Sequence, residues 1–431
     1  MPAALAPLRH RNFALIWVSA LLSNVGSWMQ TVAVGILVTA RTGQPGWTGL
    51  VAAAGFLPIG LLSPVGGVMA DRMDRRRWLF TTTCGETAFA SALAVLAWTG
   101  HPSPAVVTLL VLGGGAMAAI GFPAYQAMMP DLVPGSELGA AISLSSAQFN
   151  LGRVIGPALA GVAIVAGGYE LAFALNAASF LAVLIALKLV KLPAQLAAGD
   201  TASLRRRLAE GARATLHNRG ARFAVALISV VALTASPFIA LVPAIALEVF
   251  HSKATGTSVL ITAQGVGAVA GALAITPLVT RFGRRRVLIG DLVAVSAFLV
   301  LYGLAPTLWV GAVALLLVGA SYIGVLAGCN TIVQLHAPAE LRGRMLGIYM
   351  MALGILYPVG AMAQGWLAGW AGLRVVTAAG AVLLLALLGV GLAVGLFPPR
   401  LDLPVPGSGT PPPVVPPAGG AQSPIEEVAA P

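Results

Sequence analysis

The feature that most restricts this chain is a rhythm of apolar runs that begins near residue 12 and continues to residue 397. About 20 apolar residues in a helix, at ~1.5 Å per residue, cross the hydrocarbon core of a bilayer. Twelve such spans fit, over 12–40, 46–70, 77–99, 104–128, 139–167, 170–190, 222–249, 256–280, 287–305, 308–333, 343–370 and 373–397. Only 9% of the residues are charged, against 58% hydrophobic. A soluble domain carries roughly 25% charged residues, and so little polar material cannot cover a soluble surface of this size. The pattern predicts an all-α membrane protein. The first run is too long for a signal-peptide core and has no small-residue cleavage site, so it reads as a retained helix.

The net charge of +11 raises a nucleic-acid reading, which its placement opposes. Of the 25 Lys and Arg, all but Arg41, Arg153, Lys253 and Arg374 fall on the side that holds both termini. That asymmetry puts the basic side in the cytoplasm. The charge then meets anionic lipid heads, with no nucleic acid as partner. Cys84 and Cys329 both lie inside spans, which excludes a disulfide framework. The five histidines, at span ends or in loops, have no metal-ligand spacing. None of the three lysines sits in a phosphate-binding G-x-x-x-x-G-K-[ST] loop. No nucleophile–base constellation stands out, so neither an enzyme nor a cofactor or metal site is expected.

The chain repeats itself. RMDRRRWL (72–79) follows span 2, and RFGRRRVL (281–288) follows span 8, 209 residues later. PGSEL (134–138) follows span 4 and PAEL (338–341) follows span 10. The order of anchors is the same, so two parallel six-helix halves are implied. Transporters built this way place the substrate near the midplane between the halves. The expected domains are a first half over 1–192, a basic cytoplasmic linker over 193–221, a second half over 222–397 and a Pro-rich tail over 398–431. The linker's basic residues and scattered leucines fit either an amphipathic helix on the inner membrane face or a solvated connection. The tail has no core-forming pattern and reads as disordered.

GVMADRMDRRR (67–77) resembles the loop signature between helices 2 and 3 of the major facilitator superfamily, and TRFGRRR (280–286) resembles its second-half echo. GRVIGPALAG (152–161) is similar to the helix 5 antiporter motif of drug exporters, with Ala160 in place of one glycine. LLSNVGSWMQTVAVGILVTARTG (21–43) and GFPAYQAMMPDLVP (121–134) resemble the drug and siderophore exporter branch, which includes enterobactin and macrolide exporters. The resemblance covers about residues 1–400. It implies the major facilitator fold, a monomer in the bacterial inner membrane with both termini cytoplasmic, and secondary active export by alternating access. The cargo would be a drug-like compound, siderophore or secondary metabolite, exchanged for protons. A metabolite importer on the same fold and a non-transporting membrane sensor or assembly factor are the alternatives. The chain departs from the pattern at Asp74, where the signature has glycine, and at Thr280, where the first copy has Asp71. It has no arginine in the middle of span 4 and no acid in span 1. The proton scheme of well-known drug exporters therefore does not transfer.

The resemblance gives Asp71, Arg72, Arg75 and Arg76 a gating role at the cytoplasmic mouth. Asp71 can pair with a nearby arginine and favour a helix N-terminus from the other half. The alternative is that these arginines only enforce topology. Gly152, Gly156 and Pro157 join the expected gate. Gln148, Gly152, Gly156 and Ala160 recur every four residues, a small-residue stripe expected to pack against the other half. Pro157 leaves the carbonyl of Arg153 without its helical donor.

Ionisable residues in hydrocarbon are functional candidates. Arg153 lies about 14 residues into span 5, near mid-membrane at ~1.5 Å per residue. Glu86, in span 3, is the candidate proton carrier. Burial favours the neutral form of a carboxyl and an adjacent cation favours the charged form. A cycle that moved Arg153 toward and away from Glu86 would thus load and release a proton. A static Glu86–Arg153 pair, or a glutamate bonded to backbone, is the alternative. Asp291, five residues past Arg286, reads as a rim partner of the arginine cluster. Candidate substrate contacts are Asn24, Trp28, Phe238, Gln264, Tyr322 and Tyr357, polar or aromatic residues at mid-depth on spans that line the family's pathway. An apolar, aromatic cavity with few polar groups suits bulky amphipathic small molecules. Interhelical packing accounts for each residue singly just as well.

Overall fold

The computed structural model describes residues 3–100, 102–190, 204–338 and 340–397. The helices are α1 (Arg11–Thr42), α2 (Pro45–Arg72), α3 (Arg75–Trp98), α4 (Pro104–Leu132), α5 (138–166), α6 (169–189), α7 (Leu204–His217), α8 (Arg219–Val249), α9 (Ala254–Phe282), α10 (Arg284–Leu304), α11 (Leu308–His336), α12 (Arg342–Ala371) and α13 (Leu373–Ala393). α5 and α6 form one continuous stretch, interrupted by non-helical backbone at Gly167 and Gly168. Gly168 has φ 74° and ψ −173°, a region closed to residues with a Cβ. That glycine turns the chain back. Among the described residues eleven stretches are long and apolar enough to cross a membrane. The glycine break divides one of them, which yields the twelve spans that hydropathy predicts. α1–α6 are spans 1–6 and α8–α13 are spans 7–12. The Pro-rich tail and residues 191–203 of the linker region lie outside the described residues.

Each half repeats one packing plan. α2 and α3 both lie along α4, as α9 and α10 lie along α11, and α1 packs on α5 as α8 packs on α12. The ends of the bundle differ. One end carries the arginine-rich loops, and is called the basic end below. At the far end Trp98, Trp309, Trp366 and Trp370 are each more than half exposed. Tryptophan concentrates at the membrane–water boundary because its ring is apolar and its N–H is wet. Exposed apolar side chains such as Val162 and Leu273 fill the band between the ends.

The two basic loops start their helices by different means. Asp74 caps α3, its carboxylate accepting from the Arg77 backbone N–H at 2.7 Å. Its φ of −57° requires no glycine, and an aspartate cap satisfies an orphan N–H at the helix start. The equivalent Gly283 has φ 81°. The second arginine of each cluster performs the same task in both halves. Arg76 donates to the carbonyls of Leu187 and Lys188 at the end of α6. Arg285, 209 residues on, donates to the carbonyl of Phe397 just beyond α13. The last carbonyls of a helix have no intrahelical donor, so an arginine there closes each half on itself.

α8 is irregular. It is helical to Thr234, turns over 235–237, resumes over Phe238–Ala244 and ends in a wide turn over Ile245–Val249. Pro237 and Pro243 lack the N–H that a continuous helix needs. The break frees Ser236 for the contact described next.

Candidate substrate site and gate

Arg153 of α5 sits where the two halves meet. Its guanidinium carbon lies 5.7 Å from the centroid of the Trp28 ring of α1. Trp28 meets Phe149, one helical turn before Arg153, edge to face at 6.0 Å. From the second half, Tyr322 of α11 and Tyr357 of α12 stand within electrostatic reach of the guanidinium. Tyr322 is held by Ser236, hydroxyl to hydroxyl at 2.8 Å, and by the edge of Phe238 at 5.8 Å. Tyr357 is held by Phe56 of α2 at 5.3 Å. One cation thus has the Trp28 ring face beside it from its own half and two phenol groups of the other half within electrostatic reach. Such a face stabilises a partly desolvated cation, and Arg153 has no carboxylate partner among the described residues.

Four of the six expected substrate contacts, Trp28, Phe238, Tyr322 and Tyr357, belong to this cluster. Asn24 does not reach it in the same way. Its Cβ lies against Gly152, where a glycine Cβ would stand 2.8 Å away. Gln264 is 4% exposed, its backbone pressed on Gly319 of α11, and its side-chain nitrogen is buried without a hydrogen bond among the described residues. Phe149, Phe56 and Ser236 are additional members. Phe149 was legible as the i−4 neighbour of Arg153 on one helix face. Phe56 and Ser236 join only through tertiary packing.

The small-residue stripe of α5 corrects the sequence reading. Gly152 and Gly156 approach α1 of the same half, not the other half. A Cβ on Gly156 would stand 2.6 Å from the Cβ of Trp28 and 2.7 Å from the carbonyl oxygen of Val25. The reason is that α1 lies along α5, and the stripe admits it closely enough to bring Trp28 over Arg153. Pro157 is buried in the same segment. The other half is met one face away, where Gly161 abuts Ser258 and Gly265 of α9 abuts Val154.

The seam between halves is tight from mid-depth to the far end. Gly46 lies under the ring of Trp366, Gly49 against the Ala361 carbonyl, and Gly60 within 2.7 Å of the Gly354 backbone, measured from where its Cβ would be. These pairs join α2 to α12. Toward the basic end the seam parts. Gly139 of α5 and Gly343 and Gly347 of α12 have no atom of the described residues within 4 Å of a Cβ position. Phe122, Phe149 and Met350 are exposed there at 55%, 46% and 53%. Among the described residues the seam between the halves is therefore closely packed at the far end and looser at the basic end. At the seam Ser258 lies against Gly161, and its hydroxyl, like that of Thr257, is buried without a hydrogen bond among the described residues.

The expected gate residues divide by what they touch. Asp71 at the end of α2 accepts from Arg207 of α7 at 3.0 Å. Its partner is thus on the connecting helix, and not among the arginines of its own loop. One further turn of α7 reaches the second half, where Glu210 pairs with Arg344 and Gly211 backs onto the Arg344 main chain. α7 therefore links α2 to α12 across the basic end. Arg75 donates to the Ala127 carbonyl at 2.9 Å and to Asp131 at 3.2 Å. These contacts of Arg75, and those of Arg76 with the end of α6, lie within the first half. Arg72 is exposed at the end of α2.

Glu86 lies in α3, which packs on α4 and the α5–α6 stretch at the periphery of the first half. It makes no ion pair with Arg153, and no hydrogen bond among the described residues. The expected Glu86–Arg153 couple is not formed. α5 turns Arg153 toward α1 and the second half, away from α3.

A family model described as transmembrane secretion effector matches residues 2–404. The multidrug efflux pump Tap of Mycolicibacterium fortuitum is 27% identical over 400 residues, 90% of this chain and 95% of that protein. The enterobactin exporter EntS of Salmonella paratyphi A (strain ATCC 9150 / SARB42) is 28% identical over 347 residues, 79% of this chain and 81% of that protein. Among solved structures, a bacterial homologue of the human lysosomal transporter Spinster, inward-facing and unoccupied, superposes with a TM-score of 0.71 at 14% identity, covering 90% of this chain and 98% of that one. The D-xylose–proton symporter superposes with a TM-score of 0.67 at 15% identity, covering 90% and 98%. The fold, the two repeated halves and the full-length family match converge: this chain belongs to the transmembrane secretion effector family of major facilitator transporters, and is a transporter rather than an enzyme.

Proposed function

We propose that the chain exports a bulky amphipathic small molecule, a drug-like compound, siderophore or secondary metabolite, by alternating access around Arg153. The observation that carries the reading is Arg153, without a carboxylate partner among the described residues, beside the Trp28 ring and within electrostatic reach of Tyr322 and Tyr357 at the junction of halves packed more closely at one end than at the other. The positive-inside rule assigns the basic end to the cytoplasm of a bacterial inner membrane. On that assignment, the looser packing at the basic end supports reading this as the state that loads from inside. Arg153 offers a planar fork of N–H donors to a carboxylate, catecholate or carbonyl, and the aromatic rings offer an apolar wall. Export by the relatives Tap and EntS supports the direction.

Protons would supply the drive. Glu86 is assigned the carrier role alone, without Arg153: a carboxyl with no cationic partner in hydrocarbon is most compatible with its surroundings when protonated. The Asp71–Arg207 and Glu210–Arg344 pairs would hold α7 across the open mouth in this state. The protein is expected to work as a monomer, since one chain contains both halves of the site.

The test is accumulation from a small-molecule cell extract by membrane vesicles under an imposed pH gradient, read by mass spectrometry. Solutes taken up by inverted vesicles with this chain, and lost with Arg153→Ala, support export. Uptake confined to right-side-out vesicles would make it an importer. No chain-dependent uptake in either orientation would favour a non-transporting role.

A further inference from the structure

α9 and α10 each lie along α11 but scarcely touch one another. Ala274, Ile275 and Leu278 of α9, Asp291 and Phe298 of α10 and Gly324 of α11 line a cavity of about 190 Å³ between them. A second cavity, of about 330 Å³, shares Leu278 and Asp291 and continues past Val287 to Arg286. Leu317, Ala320 and Gly324 of the groove share one face of α11, and Tyr322 projects from the opposite face at 100° per residue. The groove is therefore turned away from the Arg153 cluster. Leu278 and Phe282 at its mouth are 40% and 46% exposed, on the apolar band of the bundle.

The internal repeat shows what is unusual here. With the offset of 209, Trp78 corresponds to Val287 and Thr82 to Asp291. In the first half the Trp78 indole lies over α4, its N–H donating to the Ile120 carbonyl at 3.0 Å. Thr82 fits against Gly121, and its hydroxyl returns to the Leu79 carbonyl at 3.0 Å. Both of these polar side chains have a partner. In the second half a valine stands where the indole would lie, which leaves open space. An aspartate stands where the threonine would lie. Its carboxylate rests against Gly324, where a Cβ would collide with it. It makes no ion pair or hydrogen bond among the described residues, which corrects its reading as a rim partner of the arginines. Asp291 is seven residues in from Arg284, about 10 Å along the helix and below the level of lipid headgroups.

We infer that this groove is a second ligand site, built for a lipophilic cation dissolved in the membrane. The apolar walls take the body, the Asp291 carboxylate takes the charge, and the open side admits the ligand from the lipid. A carboxylate at this depth is costly without a counter-charge; among the described residues none lies within ion-pair distance of Asp291, and Arg286 is confined to the outer cavity. The depth disfavours a phospholipid headgroup, which would bring its phosphate to the same level. The central cluster has the opposite sign, so Arg153 repels what Asp291 attracts. The two sites select different solutes, and the inference does not depend on the export reading.

The probe is tetraphenylphosphonium, with tetraphenylborate as an apolar anion of matching shape. Binding is measured by equilibrium dialysis against the full chain in lipid nanodiscs, with protein-free nanodiscs subtracted. The wild type is expected to bind the cation. Asp291→Asn, nearly isosteric, and Val287→Trp, which restores the first-half indole, are each expected to weaken it at least tenfold. Tetraphenylborate binding stays unchanged in both. Monodisperse elution of each variant is the folding control, and Val287→Phe replaces Val287→Trp if the latter misfolds. Cation binding no greater than to protein-free discs, or binding that Asp291→Asn leaves at wild-type strength, overturns the site. Loss of cation and anion binding alike in Asp291→Asn would overturn the charge assignment.

Discussion

At the scale of residues, Arg153 concentrates the account. Its position between Trp28 and two tyrosines of the other half makes its shape matter as well as its charge. Arg153→Ala is expected to lower initial uptake rates in inverted vesicles at least tenfold while the protein still inserts and elutes normally. Arg153→Lys should fall between, because an ammonium keeps the charge but not the planar fork. Gly156 makes the neighbouring prediction about stability. A side chain there meets the Trp28 Cβ at 2.6 Å and the Val25 carbonyl oxygen at 2.7 Å. Gly156→Val therefore overpacks the α1–α5 contact, at a cost of about 1–3 kcal/mol, and should lower the unfolding temperature in detergent. Glu86→Gln is expected to abolish acceleration of transport by a pH gradient while leaving substrate binding intact, as read by comparing uptake with equilibrium binding. These residues were legible to different degrees. Arg153 stood out because a charge in an apolar run has few benign explanations. Its aromatic neighbours from α11 and α12 were recognisable only as candidates, since a sequence does not reveal which helix faces meet. The Glu86–Arg153 couple failed for the same reason: depth can be counted along a helix, but azimuth against neighbours cannot.

Elements carry the gate. α7 joins Asp71 of α2 to Arg344 of α12 through Arg207 and Glu210. These pairs are roughly a third exposed, and exposed pairs contribute about 0–1 kcal/mol each. The clasp can thus bias the two states without locking one. Arg207→Ala is expected to shift the balance of basic-end-open to basic-end-closed molecules by less than about tenfold, read as cysteine-labelling rates inside the cleft. The far-end seam is the stiffer element. Gly49 of α2 faces the backbone carbonyl of Ala361, which cannot rotate aside. Gly49→Ala should wedge the seam and favour the state open at the far end. The buried hydroxyls of Thr257 and Ser258 would gain water on opening, which offsets part of the apolar area lost. Helix extents were readable from sequence because lipid imposes length and apolarity on every span alike. The clasp was not: the basic residues of α7 satisfied the topology rule equally well whether or not they paired. The stripe on α5 was visible as a packing surface, but its partner, α1, was not.

The whole molecule is two copies of one six-helix plan, and the differences between copies are as informative as their agreement. Arg76 and Arg285 close their halves alike, whereas Asp74 and Gly283 reach the same turn by a side-chain cap and by a positive φ. The repeat was legible from two basic loops 209 residues apart. What stands at each equivalent position in space, such as Trp78 over α4, required the structure. The central claim is that the halves rock about Arg153, so that one end closes as the other opens. Pulsed electron–electron distances between spin labels test it, one pair at Gln44 and Trp370 on the far end and another at Gly139 and Phe282 on the basic end, in nanodiscs with and without Gly49→Ala. The account predicts that Gly49→Ala lengthens the far-end distance and shortens the basic-end distance together. Distances that stay fixed, or that lengthen at both ends, would contradict it.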